Sequence, residues 1–316
     1  MEHTIIEKGY HKRETCGSCN GSDFKTILDL GTVPLAGYFP SEDQMGVESK
    51  YPLSLLVCID CKLTQTDSVI NPKLLFEDYR YLSSVGLTNH FTEVANILDE
   101  KYAVSGKTIL EIGCNDGVLL EPLSKLGAKV EGVDPAGNVV KLATDKGLKV
   151  YNDYFNEHTF GTDEFKNKYS LVISNNTFAH IIDIQSVIRG INHVLKPNGD
   201  FIFEVHYLNN LIDEKQWDNV YHEHIFYYSI TAIKNMFQKY NMTVVDFEEI
   251  PIHAGSIRVT VETLKNSDID LLIIFAWNYS RMIIEKTQFK KYKYLVAFPK
   301  VQLVDSYDEL KGFKSI

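Results

Sequence analysis

The sequence lacks any run of 18 consecutive apolar residues, so no segment is predicted to span a membrane as a helix. Its first ten residues, MEHTIIEKGY, contain no apolar stretch of the kind found in secretory signal peptides. No cluster of five or more basic residues occurs, and the formal net charge of the 316-residue chain is −10. This balance argues against binding to nucleic acid or to anionic membranes. We therefore expect a soluble cytoplasmic protein with neither kind of partner.

Two phosphate-binding motifs are also missing from the most distinctive part of the chain. The apolar run Thr108–Ile112 leads into Gly113 and Gly117, and a helix-like pattern follows. A strand, a glycine turn and a helix in this order are typical of a nucleotide-type pocket at the carboxyl end of a parallel strand. A P-loop requires Gly-Lys-Ser/Thr, which is absent, and the dinucleotide motif G-x-G-x-x-G is broken at Asn115 and Val118.

The pattern that remains, Glu111-x-Gly113-x-x-x-Gly117, resembles the first motif of class I S-adenosylmethionine (SAM) methyltransferases. An ordinary strand-to-helix turn is the alternative. SAM has no phosphates and needs no anion cradle, whereas the Glu111 carboxylate can pair with its cationic amino group. A second predicted strand ends at Asp134, about 20 residues after the first glycine, where a carboxylate can bind both ribose hydroxyls.

Strands and helices alternate through the following residues, which predicts a doubly wound α/β sheet. The predicted elements are a helix over 137–146, a strand over 149–151, a strand over 169–175, a helix over 184–195 and a strand over 200–205. Residues in the turns that follow these strands are expected to line the SAM pocket. We assign Asn115, Phe155 and Asn175 to it, together with Glu111, Gly113, Gly117 and Asp134.

Four of the five cysteines form two pairs, Cys16-x-x-Cys19 and Cys58-x-x-Cys61. Four thiolates make a closed, structural zinc site, because no coordination position remains for water. Disulfides and a thioredoxin-like redox pair are the alternatives, disfavoured by the missing secretion signal and by the presence of two pairs. We predict structural zinc in a small domain of short strands, because glycines and prolines between the pairs interrupt long helices. Cys114 is interpreted as a small residue in the glycine turn.

A compact polar cluster, Tyr221-His222-Glu223-His224, follows the last of these strands. Histidine is the side chain best suited to proton transfer near neutral pH, so the cluster is a candidate catalytic site. Two other interpretations stay open. One is a metal site at the two histidines, although no third ligand stands at a usual spacing. The other is a set of core hydrogen-bonding residues.

Taken together, these motifs give the chain a close resemblance to the nucleotide-sugar C-methyltransferases that act on 4-keto-deoxysugars. Besides the cysteine pairs, the resemblance lies in EDYRYLSS, LEIGCNDGVLL, GVDPAGNV, NNTFAHI, LKPNGDFIFEVHYL, DNVYHEHIFYYS and IPIHAGSIRV, within residues 16 to 262. It implies a class I SAM-methyltransferase fold with a small N-terminal zinc-binding domain. It also implies SAM and structural zinc as cofactors and a nucleotide-sugar as the substrate.

Transferred motif by motif, the resemblance implies that His224 is the general base, with Tyr221 and Glu223 beside it. His180 would line the substrate site and is the next candidate for the base. The remaining substrate contacts that we assign are Tyr79, Tyr81, Asn176, His222 and Arg258.

The resemblance weakens after Leu264, where family members carry a C-terminal α/β domain and we expect only a remnant of it in this chain. We predict a zinc-binding domain at 1–72, a methyltransferase domain at 73–265 and a truncated segment at 266–316. The remnant is predicted to contain a strand over Leu271–Phe275, a helix over Trp277–Lys286 and a strand over Lys293–Phe298.

The leading hypothesis is methyl transfer from SAM to carbon C3 of a nucleotide-linked 4-keto-deoxysugar. A proton next to a ketone is acidic enough for histidine to remove if the enolate is stabilised. Two alternatives remain open: O-methylation of a sugar hydroxyl, and a catalytically weak protein that binds SAM or a nucleotide-sugar.

Overall fold

The computed structural model describes residues 9–37, 41–76 and 81–263, and strand segments within 271–304. The chain divides into two compact units, Met1–Thr263 and Leu264–Ile316. None of the described helices is long and apolar enough to cross a membrane. The predicted substrate residue Tyr79 and the predicted helix Trp277–Lys286 lie outside the described residues.

A seven-stranded sheet organises the described part of the first unit. Its strands, in spatial order, are β12 (Met242–Ile250), β13 (Ser256–Thr263), β10 (Leu195–His206), β9 (Tyr169–Asn175), β6 (Thr108–Ile112), β7 (Lys129–Val133) and β8 (Lys149–Tyr151). Strands β6 to β10 are mutually parallel. At one edge of the sheet, β13 pairs antiparallel with β10, and β12 pairs antiparallel with β13. This topology confirms the predicted doubly wound fold.

Alternating apolar side chains cover both faces of this sheet. Along β10, Phe201 and Phe203 belong to one buried cluster, and Ile202 between them belongs to another. Successive side chains of a strand point to opposite faces, so each cluster lies on one face. The described helices are α1 (Pro72–Phe76), α2 (Ser84–Tyr102), α3 (Leu120–Lys125), α4 (Gly137–Asp145), α5 (Glu157–Phe160), α6 (Ile184–Val194), α7 (Leu208–Asp213) and α8 (Ile230–Gln238).

The cysteine-bearing segment is built on longer strands than the sequence predicts. After β1 (Tyr10–Lys12), β2 (Phe24–Pro34) pairs with β3 (Lys50–Cys58) over most of its length. The expectation of short strands was wrong because two irregularities in the β2–β3 register bend the pair without breaking it. Gly31, with φ +69°, lies within the second irregularity.

The same segment shares a sheet with residues that follow the histidine cluster. Strands β4 (Thr64–Thr66) and β5 (Ser68–Ile70) complete the segment, and β5 pairs with β1. Strand β11 (Phe226–Tyr227) pairs antiparallel with β4, giving the sheet order β11-β4-β3-β2. The cysteine segment and the histidine cluster are therefore joined by main-chain hydrogen bonds.

Three smaller predictions also change. Strand β10 begins at Leu195 rather than at residue 200, since the Lys-Pro-Asn-Gly stretch forms an irregularity in its register with β9. The sequence pattern predicts an amphipathic helix over Thr88–Tyr102, and helix α2 begins four residues earlier, at Ser84, with a kink at Val85–Gly86. In the second unit, β14 (Leu271–Ile274) pairs parallel with β15 (Lys293–Val296), which pairs antiparallel with β16 (Gln302–Val304).

Candidate active site

A cavity of about 410 Å³ lies at the carboxyl ends of β6, β7 and β9. In an open α/β sheet this edge is where ligands bind. Its lining includes eight of the predicted site residues: Tyr81, Gly113, Asn115, Asp134, Phe155, Asn175, Asn176 and His180. Gly113 has φ +73°, and an added Cβ would clash with Thr177, so the turn after β6 requires glycine.

Glu111 stands at the end of β6 with a buried, unsatisfied carboxylate. Its side chain is 3% exposed, and Oε2 has no hydrogen-bond partner among the described residues. Burial raises the pKa of this carboxyl well above its usual value, and Asp134, Asp116 and Glu204 raise it further. A buried anion without a partner is costly, so the position fits a cationic ligand group such as the amino group of SAM.

Asp134 and Asn115 hold the turns around the cavity in place. The Asp134 carboxylate accepts hydrogen bonds from the backbone N–H groups of Asn115 (3.0 Å) and Ala136 (2.9 Å). The Asn115 side chain accepts a bond from the Ser83 N–H (3.0 Å) and donates one to the Tyr81 carbonyl (3.0 Å). The SAM turn is thereby tied to the segment that precedes α2.

Two asparagines at the end of β9 present polar atoms that lack partners. Nδ2 of Asn175 and both side-chain polar atoms of Asn176 are buried and make no hydrogen bond with the described residues. Asn176 also has φ +53°, a left-handed conformation that most side chains avoid. Unsatisfied polar groups and backbone strain concentrate at functional sites, so both residues fit a ligand-binding role.

The predicted base stands behind His180 rather than on the cavity wall. The Oη atom of Tyr221 and Nε2 of His224 are 2.8 Å apart, within hydrogen-bonding distance. The His224 ring centroid is 4.9 Å from that of His180 and 4.6 Å from that of His206. The structure therefore brings His180, Tyr221 and His224 together, and His180 is the member that lines the cavity.

Burial keeps these imidazoles neutral. It lowers the pKa of His180 and of His206 to about 4, and it lowers the pKa of His224 well below its usual value. Neighbouring histidines lower all three further, since two adjacent imidazolium ions repel each other. Burial also raises the pKa of Glu223 to about 7. A neutral imidazole at physiological pH has a lone pair available to accept a proton.

Of the predicted catalytic, SAM-binding and substrate-binding residues that the structure describes, seven do not line the cavity, and three of these seven contact other parts of the protein. His222 is 1% exposed, and its Nε2 is 3.1 Å from the Pro52 carbonyl oxygen in the cysteine segment. Arg258, on β13, donates to Glu204 (2.8 Å) and Glu248 (2.6 Å) and does not reach the cavity. Gly117 does not line it either; an added Cβ there would clash with Leu148. The side chains of His222 and Arg258 therefore contact other protein groups outside the cavity.

The four paired cysteines converge as the zinc prediction requires. Their ligand atoms all lie within 4.8 Å of one another, with Sγ–Sγ distances of 3.5 Å for Cys16–Cys61 and for Cys19–Cys58. With Zn–S bonds of about 2.3 Å, tetrahedral geometry places sulfurs about 3.8 Å apart, so the donor set fits zinc. All four are free cysteines, which excludes the disulfide alternative in this structure.

Two histidines near the site were not among the residues assigned from the sequence. His206 ends β10, and its ring is 5.8 Å from that of His253, which lies in the turn before β13. The turn has positive φ at His253 (+48°), Ala254 (+59°) and Gly255 (+101°). A polar residue at the carboxyl end of a predicted parallel strand was a usable signal for His206. The pairing of His253 with it depends on the fold of the β12–β13 turn.

Comparisons with known proteins agree with this geometry. A family model described as "Methyltransferase domain" matches residues 89–246, and one described as "Putative zinc binding domain" matches residues 16–76. The first covers strands β6 to β10 and most of the residues that line the cavity, and the second covers the four cysteines. Both predicted cofactors, SAM and structural zinc, are confirmed at the level of these domains.

Curated relatives are methyltransferases of two kinds. The C-methyltransferase NovU of Streptomyces niveus is 33% identical over 253 residues, which are 78% of this chain and 60% of NovU. The ubiquinone biosynthesis O-methyltransferase of Methylobacterium sp. (strain 4-46) is 32% identical over 102 residues, 31% of this chain and 40% of that enzyme. The chain thus spans about two fifths to three fifths of the length of these relatives.

Among solved structures, the magnesium protoporphyrin IX methyltransferase ChlM from Synechocystis PCC 6803 with bound SAH is similar with a TM-score of 0.45. It is 16% identical and covers 56% of this chain and 83% of its own. The methyltransferase-domain model matches half of the 316 residues and the whole cavity-forming sheet except its last strand. The chain therefore belongs to the methyltransferase-domain family.

Proposed function

We propose that this chain is a SAM-dependent methyltransferase that transfers a methyl group to carbon C3 of a nucleotide-linked 4-keto-deoxysugar. The observation that carries the proposal is the Tyr221–His224 pair, held among buried, neutral imidazoles directly behind the cavity wall. Removing a proton from carbon requires an unprotonated base in a water-poor site, and buried, neutral imidazoles meet this requirement. The similarity to NovU, a C-methyltransferase, favours carbon as the acceptor.

In this proposal, SAM occupies the β6 end of the cavity. Glu111 binds its amino group, Asp134 binds the ribose hydroxyls, and Phe155 packs against the adenine. Asp134 and Gly113 line the cavity, and the buried Glu111 carboxylate lies two residues before Gly113, which supports this orientation by charge complementarity. When bound, SAM supplies an electrophilic methyl group, so the protein has only to orient it and exclude water.

The sugar would then lie between the SAM site and the histidine cluster. His224 removes the proton from C3, and the electrons of the broken C–H bond pass into the enolate. His180 and the Asn176 amide, which both line the cavity, donate to the developing oxyanion. The carbanion attacks the methyl carbon in line, forming a C–C bond while the C–S bond breaks. Tyr221 holds the imidazole through its 2.8 Å hydrogen bond and stabilises the imidazolium that forms.

Deuterium exchange tests this function without requiring complete turnover. The purified chain is incubated in D₂O with a panel of nucleotide-linked 4-keto-deoxysugars and S-adenosylhomocysteine in place of SAM. The proposal predicts deuterium at C3, lost in His224→Ala, and methyl transfer to the same carbon when SAM is added. Methylation without prior exchange would instead indicate an O-methyltransferase. SAM binding with neither exchange nor transfer would indicate a binding protein.

A further inference from the structure

Arg13 carries a buried positive charge that no described carboxylate pairs with. Its Nε and Nη2 atoms are buried and make no hydrogen bond with the described residues. Among those residues no carboxylate lies within salt-bridge distance of it. A guanidinium has five donors and cannot discharge itself by losing a proton, so such a position requires a compensating anion.

The guanidinium lies against the loop of the first cysteine pair. Its Cζ is 5.2 Å from the centroid of the Phe226 ring, a cation–π contact. A Cβ added to Gly17, between Cys16 and Cys19, would come within 2.5 Å of the Phe226 ring and 2.8 Å of Nη1 of Arg13. Glycine is therefore required there, because the cation and the ring both pack directly on the backbone of the metal-binding loop.

The cysteine cluster is a buried anion when zinc is bound. Four thiolates around one Zn²⁺ carry a net charge of about −2. Cys16 and Cys58 are fully buried, Cys61 is 4% exposed and Cys19 is half-buried, so most of this charge is shielded from solvent. Burial lowers the pKa of Arg13 to about 10, while the negative charge of Cys16 and of Tyr228 acts in the opposite direction. Burying either the guanidinium or the zinc tetrathiolate alone is costly, and placing the two close together offsets part of that cost.

We propose that Arg13 is the counter-charge of the tetrathiolate zinc site and, through its contact with Phe226, a positioning residue for the strand next to the histidine cluster. Phe226 belongs to β11, whose pairing with β4 places it opposite Gln65, and the Gln65 side chain accepts a bond from the Gly17 N–H at 3.1 Å. Only Ile225 separates Phe226 from His224 in the sequence. This assignment does not depend on the reaction that the enzyme catalyses.

Zinc affinity is the direct readout, measured on the full chain by competition with a chromogenic chelator. Arg13→Met keeps an apolar stem and removes the charge, and it should weaken zinc binding about 10- to 100-fold, the usual effect of losing an outer partner of a metal site. Arg13→Lys keeps the positive charge and should lose much less zinc affinity. The matched control is Lys12→Met, which removes the neighbouring exposed cation and should leave affinity unchanged. Equal affinities in wild type and Arg13→Met would overturn the proposal.

A double-mutant cycle separates charge compensation from packing. Cys19→His keeps a tetrahedral donor set but reduces the net charge of the site to about −1. The loss of zinc affinity caused by Arg13→Met should then be several-fold smaller than in the wild-type background. An equal loss in both backgrounds would mean that Arg13 acts only by packing and would contradict the counter-charge. If Arg13→Met does not fold, Arg13→Gln is compared with Arg13→Lys in the same cycle, with the same expected order.

Discussion

The phenolic oxygen of Tyr221 lies 2.8 Å from Nε2 of His224, and the two rings are tilted with centroids 4.2 Å apart. This hydrogen bond fixes the orientation of an imidazole that is otherwise surrounded by other histidines. It joins the first and last residues of the Tyr-His-Glu-His cluster. The intervening His222 is directed toward the cysteine segment instead. Within this cluster, Tyr221 and His224 therefore contact each other, whereas His222 contacts another segment.

Tyr221→Phe is predicted to slow methyl transfer about 10- to 150-fold. Its hydroxyl stabilises the imidazolium that forms on His224, and a hydrogen bond to a charged group contributes about 1.5–3 kcal/mol. SAM affinity should stay unchanged. Tyr228→Phe is the matched control, since that hydroxyl bonds the Phe178 carbonyl at 3.1 Å. Equal rate losses in both variants, measured in single-turnover experiments, would contradict the role of Tyr221.

Glu111→Gln is predicted to weaken SAM binding by about 1.5–3 kcal/mol, because it removes a charge-assisted hydrogen bond. In the ligand-free protein, the same substitution should raise the free energy of unfolding at neutral pH. The folded-state pKa of Glu111 is raised, so the folded protein loses stability as the pH rises above the usual value of 4.5, and glutamine removes that loss.

Calorimetry with SAM and thermal unfolding of the free protein between pH 5 and pH 8 measure the two effects. Glu121→Gln is the control, since Glu121 lies on the protein surface in an ion pair with Lys125. Unchanged SAM affinity in Glu111→Gln would remove Glu111 from the SAM site.

Elemental analysis is predicted to find about one zinc per chain, bound by Cys16, Cys19, Cys58 and Cys61. Cys58→Ser should lose the metal and destabilise the cysteine segment, because metal binding and folding are coupled in such sites. The pairing of β4 with β11 predicts that this damage also reduces methyl transfer. A metal-free protein with normal stability would contradict a structural zinc site.

The pH dependence of stability tests the buried histidines. Burial and His253 lower the pKa of His206 from 6.5 to about 4, so the unfolded state binds the extra proton between these values. The free energy of unfolding therefore rises with pH across this interval. His206→Asn should reduce the slope of the free energy of unfolding against pH by an amount equivalent to at most about one bound proton. His158→Asn, which removes an exposed histidine, should leave it unchanged, and equal profiles for all three proteins would contradict a neutral His206.

The sheet was predictable because its strands carry strong local signals. Tyr169–Asn175 is a short, mostly buried segment with the apolar centre Leu171–Ile173, and the Gly113 turn requires a conformation that glycine adopts easily. The length of β2 was not predictable, since it depends on register irregularities that form only against β3. The same holds for β10, whose first residues pair with β9 across a stretch that reads as a turn.

The cofactor side of the site followed from the sequence, whereas the surroundings of the base did not. Asp134 is assigned from its spacing alone, and the structure places it at the cavity. His222 and His224 are indistinguishable by residue type. Their environments differ because other elements contact them: His222 lies against Pro52, and the His224 ring lies against that of His206. Long-range contacts of this kind are set by topology rather than by local pattern.

The comparison of His224→Ala with His222→Ala tests the central claim most directly. Single-turnover methyl transfer is measured with SAM and the keto-sugar nucleotide both saturating. The account predicts a loss of about 10²- to 10⁴-fold for His224→Ala with both ligands still bound, the usual contribution of a positioned general base. For His222→Ala it predicts a nearly normal rate and a lower unfolding temperature, since that variant loses the contacts with Tyr51 and Pro52 in the cysteine segment. Equal rate losses in the two variants, or no loss in His224→Ala, would contradict the assignment of His224 as the base.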